Sequence, residues 1–276
     1  MPTASAVEVY KTIGDVELKA WIFSPIEHNT GDAKPAIVFF FGGGWRAGNP
    51  AQFQKHCEYL AARGMVAMAV DYRVSSRHGV TANQCVADAK SAIRWMRSNA
   101  DRLGIDRQKI VAAGGSAGGH LAASTATLSG HDDPRDDLTV SATPNALALF
   151  NPAVVLASIP DERELGATIV KMLSERMGAE PESMSPYHHI APGIGPTIIF
   201  HGTADKTVEY RTVELFQKKM AATGNQCTLV GYEGETHGFF NYLKKNNGPF
   251  ISTMQKLDAF LVSNGYLDPL PVITGN

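Results

Sequence analysis

Most of the chemistry in this sequence is concentrated in Gly114-Gly115-Ser116-Ala117-Gly118-Gly119-His120. An apolar run, 109–113, precedes it and an alanine-rich segment, 121–128, follows, which predicts a strand, a sharp turn and a helix. Glycines two places either side of Ser116 remove the Cβ atoms that such a strained turn would crowd. The turn lifts the Ser116 hydroxyl clear of the strand and sets the Ala117 amide at a helix N-terminus, where unpaired N–H groups and the positive end of the dipole receive an anion. A serine hydroxyl is a poor nucleophile until a base takes its proton. His237, in the loop Glu233-Gly234-Glu235-Thr236-His237, is the candidate base, and later the acid that protonates a leaving group. Asp205, three residues past the apolar run 196–202, is the candidate that holds the imidazole in the productive tautomer. Glu233 and Glu235 compete for that role by closeness in sequence, but a strand end positions Asp205 more rigidly than a loop positions either glutamate.

Phe41-Gly42-Gly43-Gly44-Trp45 follows another apolar run, 35–41. Three successive glycines let backbone amides converge without side chains in the way. Gly43 and Gly44, with Ala117, are therefore expected to donate to a developing oxyanion, with the Trp45 amide as a substitute for one of them. The Trp45 ring either walls a substrate pocket or packs in the core. Each piece taken singly has a plainer explanation, a flexible turn or an exposed serine; their occurrence together, each at a predicted strand end, favours the catalytic one.

The elements that must position these residues alternate in type. Strands are read at 7–10, 16–23, 35–41, 65–71, 109–113, 145–150, 196–202 and 226–232. In 16–23, Val16, Leu18, Ala20 and Ile22 alternate with Glu17, Lys19 and Trp21, the period of a half-buried strand, and Gly14-Asp15 makes a hairpin turn before it. Helices are read at 52–62, 83–99, from Thr207 onward and at about 250–262; Val86, Ala89, Ile93, Met96 and Ala100 form one apolar face, with Trp95 packed between helix and sheet. The stretch 154–190 breaks the alternation. It reads as an insertion covering the catalytic edge as a small cap, helical over 164–177, with Ile169, Met172, Leu173 and Met177 as roof. Asp71, Arg73, Asp88 and Arg94 read as structural charges. His131 with its neighbouring aspartates up to Asp137 reads as a solvated loop, and His188 and His189, on an extended chain, point to opposite faces and so would not share a metal ion.

The length, 276 residues, suits one large α/β domain over 1–276. A net charge of −2 with 44% hydrophobic residues argues against nucleic acid or a charged membrane surface as partner. No apolar run is long enough to span a membrane. Cys57, Cys85 and Cys227 lack metal-ligand spacing and read as free thiols. No basic start followed by an apolar core is visible at 1–7, so no signal peptide is read; a cytoplasmic chain and a secreted chain whose leader has been removed are both consistent with this.

The set Gly42-Gly43-Gly44-Trp45, 114–120, His201-Gly202-Thr203-Ala204-Asp205 and Thr236-His237-Gly238-Phe239 resembles the α/β-hydrolase fold over nearly the whole chain, and more narrowly the microbial carboxylesterases that include acetyl-xylan and feruloyl esterases. The order serine, acid, histidine is that of the fold, and the triple glycine corresponds to its HGGG-type oxyanion motif, with Phe41 where the motif has histidine. The resemblance implies a mostly parallel sheet flanked by helices and a serine carboxylic-ester hydrolase acting on short acyl groups. Its substrate would be a small-molecule or carbohydrate ester, such as acetyl or feruloyl esters of plant-wall sugars. That chemistry needs no metal and no organic cofactor. An amide hydrolase on the same triad is the alternative, and a ligand-binding receptor derived from a hydrolase a third.

Overall fold

Runs rich in β-branched, aromatic and small apolar residues form the strands, and segments apolar at three- and four-residue steps form the helices between them. The computed structural model describes residues 4–270. In chain order the elements are β1 (Ala6–Ile13), β2 (Val16–Phe23), β3 (Lys34–Phe40), α1 (Gln54–Ala62), β4 (Val66–Val70), α2 (Ser75–His78), α3 (Ala82–Ser98), α4 (Ala100–Leu103), β5 (Ile105–Gly115), α5 (Ala117–Thr127), β6 (Ala146–Phe150), α6 (Ala167–Met177), β7 (Thr197–Gly202), α7 (Tyr210–Ala222), β8 (Cys227–Tyr232) and α8 (Gly248–Ser263).

The strands form one eight-stranded sheet in the order β1-β2-β4-β3-β5-β6-β7-β8. The β1–β2 hairpin turns at Gly14, and β2 runs antiparallel to β4; every pairing from β4 to β8 is parallel. This is the α/β-hydrolase architecture expected from the sequence. Parallel strands need crossovers, so helices cover both faces and the central strands are buried on both sides. Along β3, Val38 and Phe40 enter one core while Ile37 and Phe39 enter the other.

The same two-sided burial corrects the reading of β2. Its first half alternates, but Trp21, Ile22 and Phe23 are all buried, because β4 and helices enclose that end. Trp95 is half-buried: it packs against the main core and carries the Arg102 guanidinium over its ring. The first turn of α7 begins at Tyr210, three residues after Thr207.

The acidic loop is not merely solvated. Asp132 pairs with Lys90 and Arg94, Asp133 with Lys11 and Arg135, and Asp136 with Arg94. Lys11 also reaches Asp88 at 2.9 Å, and Asp88 accepts from Arg73 through both its side chain and its backbone amide. The network ties β1, α3 and the loop together, so Arg73, Asp88 and Arg94 are structural, as read. His188 and His189 lie in a short 3₁₀ turn, Pro186–His189, not on an extended chain; His188 bonds Ser185 Oγ and the Ser158 carbonyl, while His189 bonds the Glu182 carbonyl. Cys57, Cys85 and Cys227 are free. Among the described residues no helix is long and apolar enough to cross a membrane.

Candidate active site

Four neighbouring strands each end in a polar residue of the site. Ser116 follows β5, Asn151 follows β6, Asp205 lies three residues past β7 and His237 lies in the loop after β8. Adjacent strands run about 4.8 Å apart, so their carboxyl ends bring these side chains within reach of one another.

Ser116 has φ 54° and ψ −118°, a strained conformation for a residue with a side chain. Its flanks must be glycine here. A Cβ on Gly114 would sit 2.4 Å from the Gly118 carbonyl oxygen, and one on Gly118 would sit 2.0 Å from that of Phe40. The Ser116 amide donates to the Phe150 carbonyl at 2.8 Å, which fixes the turn against β6. His237 Nε2 lies 3.0 Å from Ser116 Oγ, and His237 Nδ1 lies 2.7 Å from Asp205 Oδ2. The three residues read from the sequence are thus joined by two hydrogen bonds. Glu233 and Glu235 take no part in them.

Asp205 Oδ2 also accepts from Asn151 Nδ2 at 3.0 Å and lies 3.3 Å from His201 Nε2, while Oδ1 accepts the amides of Thr207 and Val208 at 2.8 and 3.0 Å. Burial by itself would raise the carboxyl pKa. The hydrogen bonds from His201, His237 and the two amides outweigh it and hold the group well below the usual carboxylate range. Asp205 therefore stays ionised and points its charge at His237.

Asn151 and His201 were not singled out by the sequence reading. Nor were Gln52 and Asn241, which complete a chain of side-chain amides around the site. The Gly42 amide donates to Gln52 Oε1 at 2.6 Å, Gln52 Nε2 donates to Asn241 Oδ1 at 2.9 Å, and Asn241 Nδ2 donates to the Gly238 carbonyl at 2.9 Å. The Gly238 amide in turn donates to Asn151 Oδ1 at 3.3 Å. The end groups dictate the polarity of this chain: an N–H at Gly42 demands an acceptor and a C=O at Gly238 demands a donor, so each link must both accept and donate. A side-chain amide does so, with its oxygen accepting and its NH2 donating. The chain links the glycine loop to the histidine loop and, through Asn151, to Asp205.

Gly44, Trp45, Ser116 and Ala117 line a cavity of about 330 Å³. Gly43 does not line it; its carbonyl accepts the amides of Arg46 and Ala47 and closes the loop turn. Among the described residues no acceptor faces the N–H groups of Gly43, Gly44 or Ala117. Phe41 stacks on Tyr72 with centroids 4.1 Å apart, and the Tyr72 hydroxyl donates to the Phe41 carbonyl at 2.7 Å. That clamp steadies the start of the glycine loop.

Trp45 both walls the cavity and belongs to the core. Its Nε1 donates to His120 Nδ1 at 3.1 Å, which leaves His120 Nε2 to donate to the Met184 carbonyl at 2.7 Å. His120 is wholly buried, and burial pushes its pKa down to about 4. The far wall comes from 153–173: Ala153, Val155, Leu156 and Leu165, then Ile169, Met172 and Leu173 on α6. Met177 is not in this wall. It ends α6 fully buried in the main core. Among the described residues no cluster of three or more His, Cys, Asp or Glu is arranged to hold a metal ion.

The sequence model of the BD-FAE family matches residues 22–220. The chain is 29% identical over 221 residues to the esterase LipC of Mycobacterium tuberculosis, covering 74% of this chain and 53% of that protein. It is 29% identical over 224 residues to the isoprenylcysteine alpha-carbonyl methylesterase ICME of Arabidopsis thaliana, covering 76% and 51%. It thus spans about half the length of the curated relatives it matches. Among solved structures, esterase 2 of Thermogutta terrifontis phosphonylated by sarin superposes with a TM-score of 0.94 at 51% identity, covering 98% of each chain. The butyrate-bound form of the same esterase gives 0.94 at 50% identity, covering 98% and 97%.

Proposed function

This chain belongs to the BD-FAE family, among the α/β-hydrolase carboxylesterases, and on that premise we propose that it hydrolyses short-acyl carboxylic esters through an acyl-enzyme on Ser116. The observation that carries the reading is the pair of hydrogen bonds, 3.0 and 2.7 Å, joining Ser116 to His237 and His237 to Asp205. In the proposed reaction His237 Nε2 takes the Ser116 proton as Oγ attacks the ester carbonyl. Asp205 keeps the proton on Nδ1 and stabilises the imidazolium. The amides of Gly44 and Ala117, with that of Gly43, receive the oxyanion; they are preorganised and unpaired, and losing one such donor typically costs about 3–4 kcal/mol of barrier. His237 then protonates the leaving alcohol, and a water activated by the same imidazole releases the acid.

A cavity of about 330 Å³ with Leu165, Ile169, Met172 and Leu173 on its wall supports a short acyl group. The butyrate in the related Thermogutta esterase points the same way. On this reading residues 154–190 are a small cap on a single domain spanning 1–276, and Trp45 contacts substrate. Acetyl or feruloyl esters of plant-wall carbohydrates are the natural substrate class we favour from the family.

Ser116→Ala is the test. Turnover of p-nitrophenyl acetate and butyrate is expected to be lost while the circular dichroism spectrum is kept; ester turnover in the folded variant would remove Ser116 from the nucleophile role. A panel crossing acyl length with alcohol, including acetylated xylan and feruloyl sugars, tests the substrate class, and inert short esters beside active long-chain ones would refute it.

A further inference from the structure

The lining of the cavity beside Ser116 is mostly apolar but includes two arginines, Arg163 and Arg176, and one carboxylate, Glu209. Neither is neutralised closely. Arg163 Nε lies 3.6 Å from Glu209 Oε2, a carboxylate whose side chain is 64% exposed, and Arg163 Nη1 is shut off from solvent with no acceptor on the described residues. Arg176 is half-buried and has no hydrogen bond or ion pair among the described residues. It lies beside the oxyanion loop, with Nη1 3.9 Å from where a Cβ on Gly44 would stand.

A guanidinium N–H shut off from water with no acceptor, as at Arg163 Nη1, is costly unless something that visits the site offsets it. Helix-end electrostatics favours a basic residue in the last turn of α6, but does not require that it line the cavity or lack a carboxylate partner. The backbone at both positions is held firmly. Arg163 is pinned in a two-residue bridge, its carbonyl accepting the Ile159 amide at 2.7 Å and its amide donating to the Ile159 carbonyl at 2.9 Å. Arg176 is followed by the fully buried Met177 and by Gly178, whose carbonyl accepts from Asn83 Nδ2 at 3.2 Å. Two guanidinium groups on firmly held backbone beside a mostly apolar slot can together receive a planar anion at the end of a short chain.

We infer that the preferred esters of this protein carry a carboxylate on the acid or the alcohol portion, recognised by Arg163 and Arg176. This rests on the ester-hydrolase reading above and narrows its substrate class. The apolar wall takes the intervening methylenes or ring, and the arginines take the charge. In the reaction itself nothing changes: the serine ester forms, the alcohol leaves with the proton from His237, and water restores the enzyme.

The experiment compares phenyl butyrate with monophenyl succinate, whose carboxylate is on the acid portion, and with 4-carboxyphenyl butyrate, whose carboxylate is on the alcohol portion. kcat/KM is measured for the wild type, Arg163→Gln and Arg176→Gln at low and high salt. One of the two charged esters is expected to exceed phenyl butyrate by about tenfold or more, the scale of a charge-assisted hydrogen bond to a shielded partner. Which one does so locates the anion on the acid or the alcohol side. The ratio should fall towards one in either variant, and should shrink with added salt in the wild type. A wild type that prefers phenyl butyrate to both charged esters overturns the inference, as does a ratio unchanged in both variants, and either result leaves the esterase reading standing. If none of the three esters is turned over, the esterase reading itself fails.

Discussion

His56 lies in α1 with no exposed surface, enclosed by the rings of Phe39, Phe53, Phe150, Phe240 and Phe250. Neither of its ring nitrogens has a hydrogen-bond partner on the described residues, and no charged or titratable group faces it from the elements that contribute those rings. Burial pushes its pKa down to about 3. The folded protein therefore keeps this ring neutral at pH 5, whereas in the unfolded chain an imidazole takes up a proton near an ordinary value of about 6.5. Because the folded value is depressed, the contribution to stability is whole above about pH 6.5 and is lost as pH falls from there towards about 3. Each pH unit below about 6.5 costs about 1.4 kcal/mol per ring, so moving from pH 7 to pH 5 removes about 2 kcal/mol through His56. His120, depressed to about 4 by burial, removes a similar amount over the same interval, for a joint loss of about 4 kcal/mol out of the roughly 5–15 kcal/mol typical of a domain. The assay is urea denaturation of the wild type and His56→Phe at pH 7 and pH 5. The variant completes the aromatic cluster with a ring that does not titrate, and should lose about 2 kcal/mol less than the wild type across that interval. Equal losses in the two proteins would refute the reasoning, since His56 would then be no more reluctant to charge when folded than when unfolded.

Three further outcomes follow from the geometry. Gln52→Met breaks the amide chain at both its links and should lower kcat/KM for phenyl butyrate about tenfold; the Gln52→Met/Asn241→Leu double variant should be scarcely worse than the poorer single one, because one chain is broken in all three, and a double-mutant cycle on kcat/KM reads this directly. Asn151→Asp sets a second carboxylate about 3.0 Å from Asp205 and removes a donor to it, so kcat should fall about a hundredfold with the fold retained, as measured by steady-state kinetics and circular dichroism. Lys11→Met strips a buried cation from Asp88 and Asp133, and should cost about 3 kcal/mol, lowering Tm by about 6–10 °C in calorimetry at neutral pH.

How much of this was legible depended on whether a residue's partner is implied by its own type and neighbourhood. Strands such as 35–41 and 65–71 announce themselves, since a short run apolar on both faces fits only a sheet buried between helices. Ser116, Asp205 and His237 were legible because a serine in a glycine-flanked turn, an aspartate and a histidine, each just past a predicted strand, have few other joint purposes. Asn151 was not: an asparagine after a strand reads as a terminator, and its φ of 44° agrees with that, while its bond to Asp205 is made 54 positions away. Gln52 and Asn241 were invisible for the same reason, being 189 positions apart and of a type common on any surface. The acidic loop looked solvated because its counter-charges, Lys11, Lys90 and Arg94, come from distant elements. Met177 fits the apolar period of α6 as well as Met172 does, and only the packing of the last helical turn sends it inward.

The excursion between β6 and β7 leaves the sheet just after Asn151 and rejoins it at Thr197, and the sheet is stitched across its two feet by the Asn151 amide to the Phe200 carbonyl and the Leu147 amide to the Pro196 carbonyl, at 2.8 and 2.9 Å. Ser116, Asp205 and His237 all lie outside it. Such a segment behaves as a cassette: a recombination event or an engineer can splice in another of different size and lining, provided the bonds from the Ala153 amide to the Ser116 carbonyl and from His120 to the Met184 carbonyl are kept. Selectivity and reactivity can then drift independently in descendants of this protein, and chimaeras joined at those two feet should inherit turnover from one parent and taste from the other.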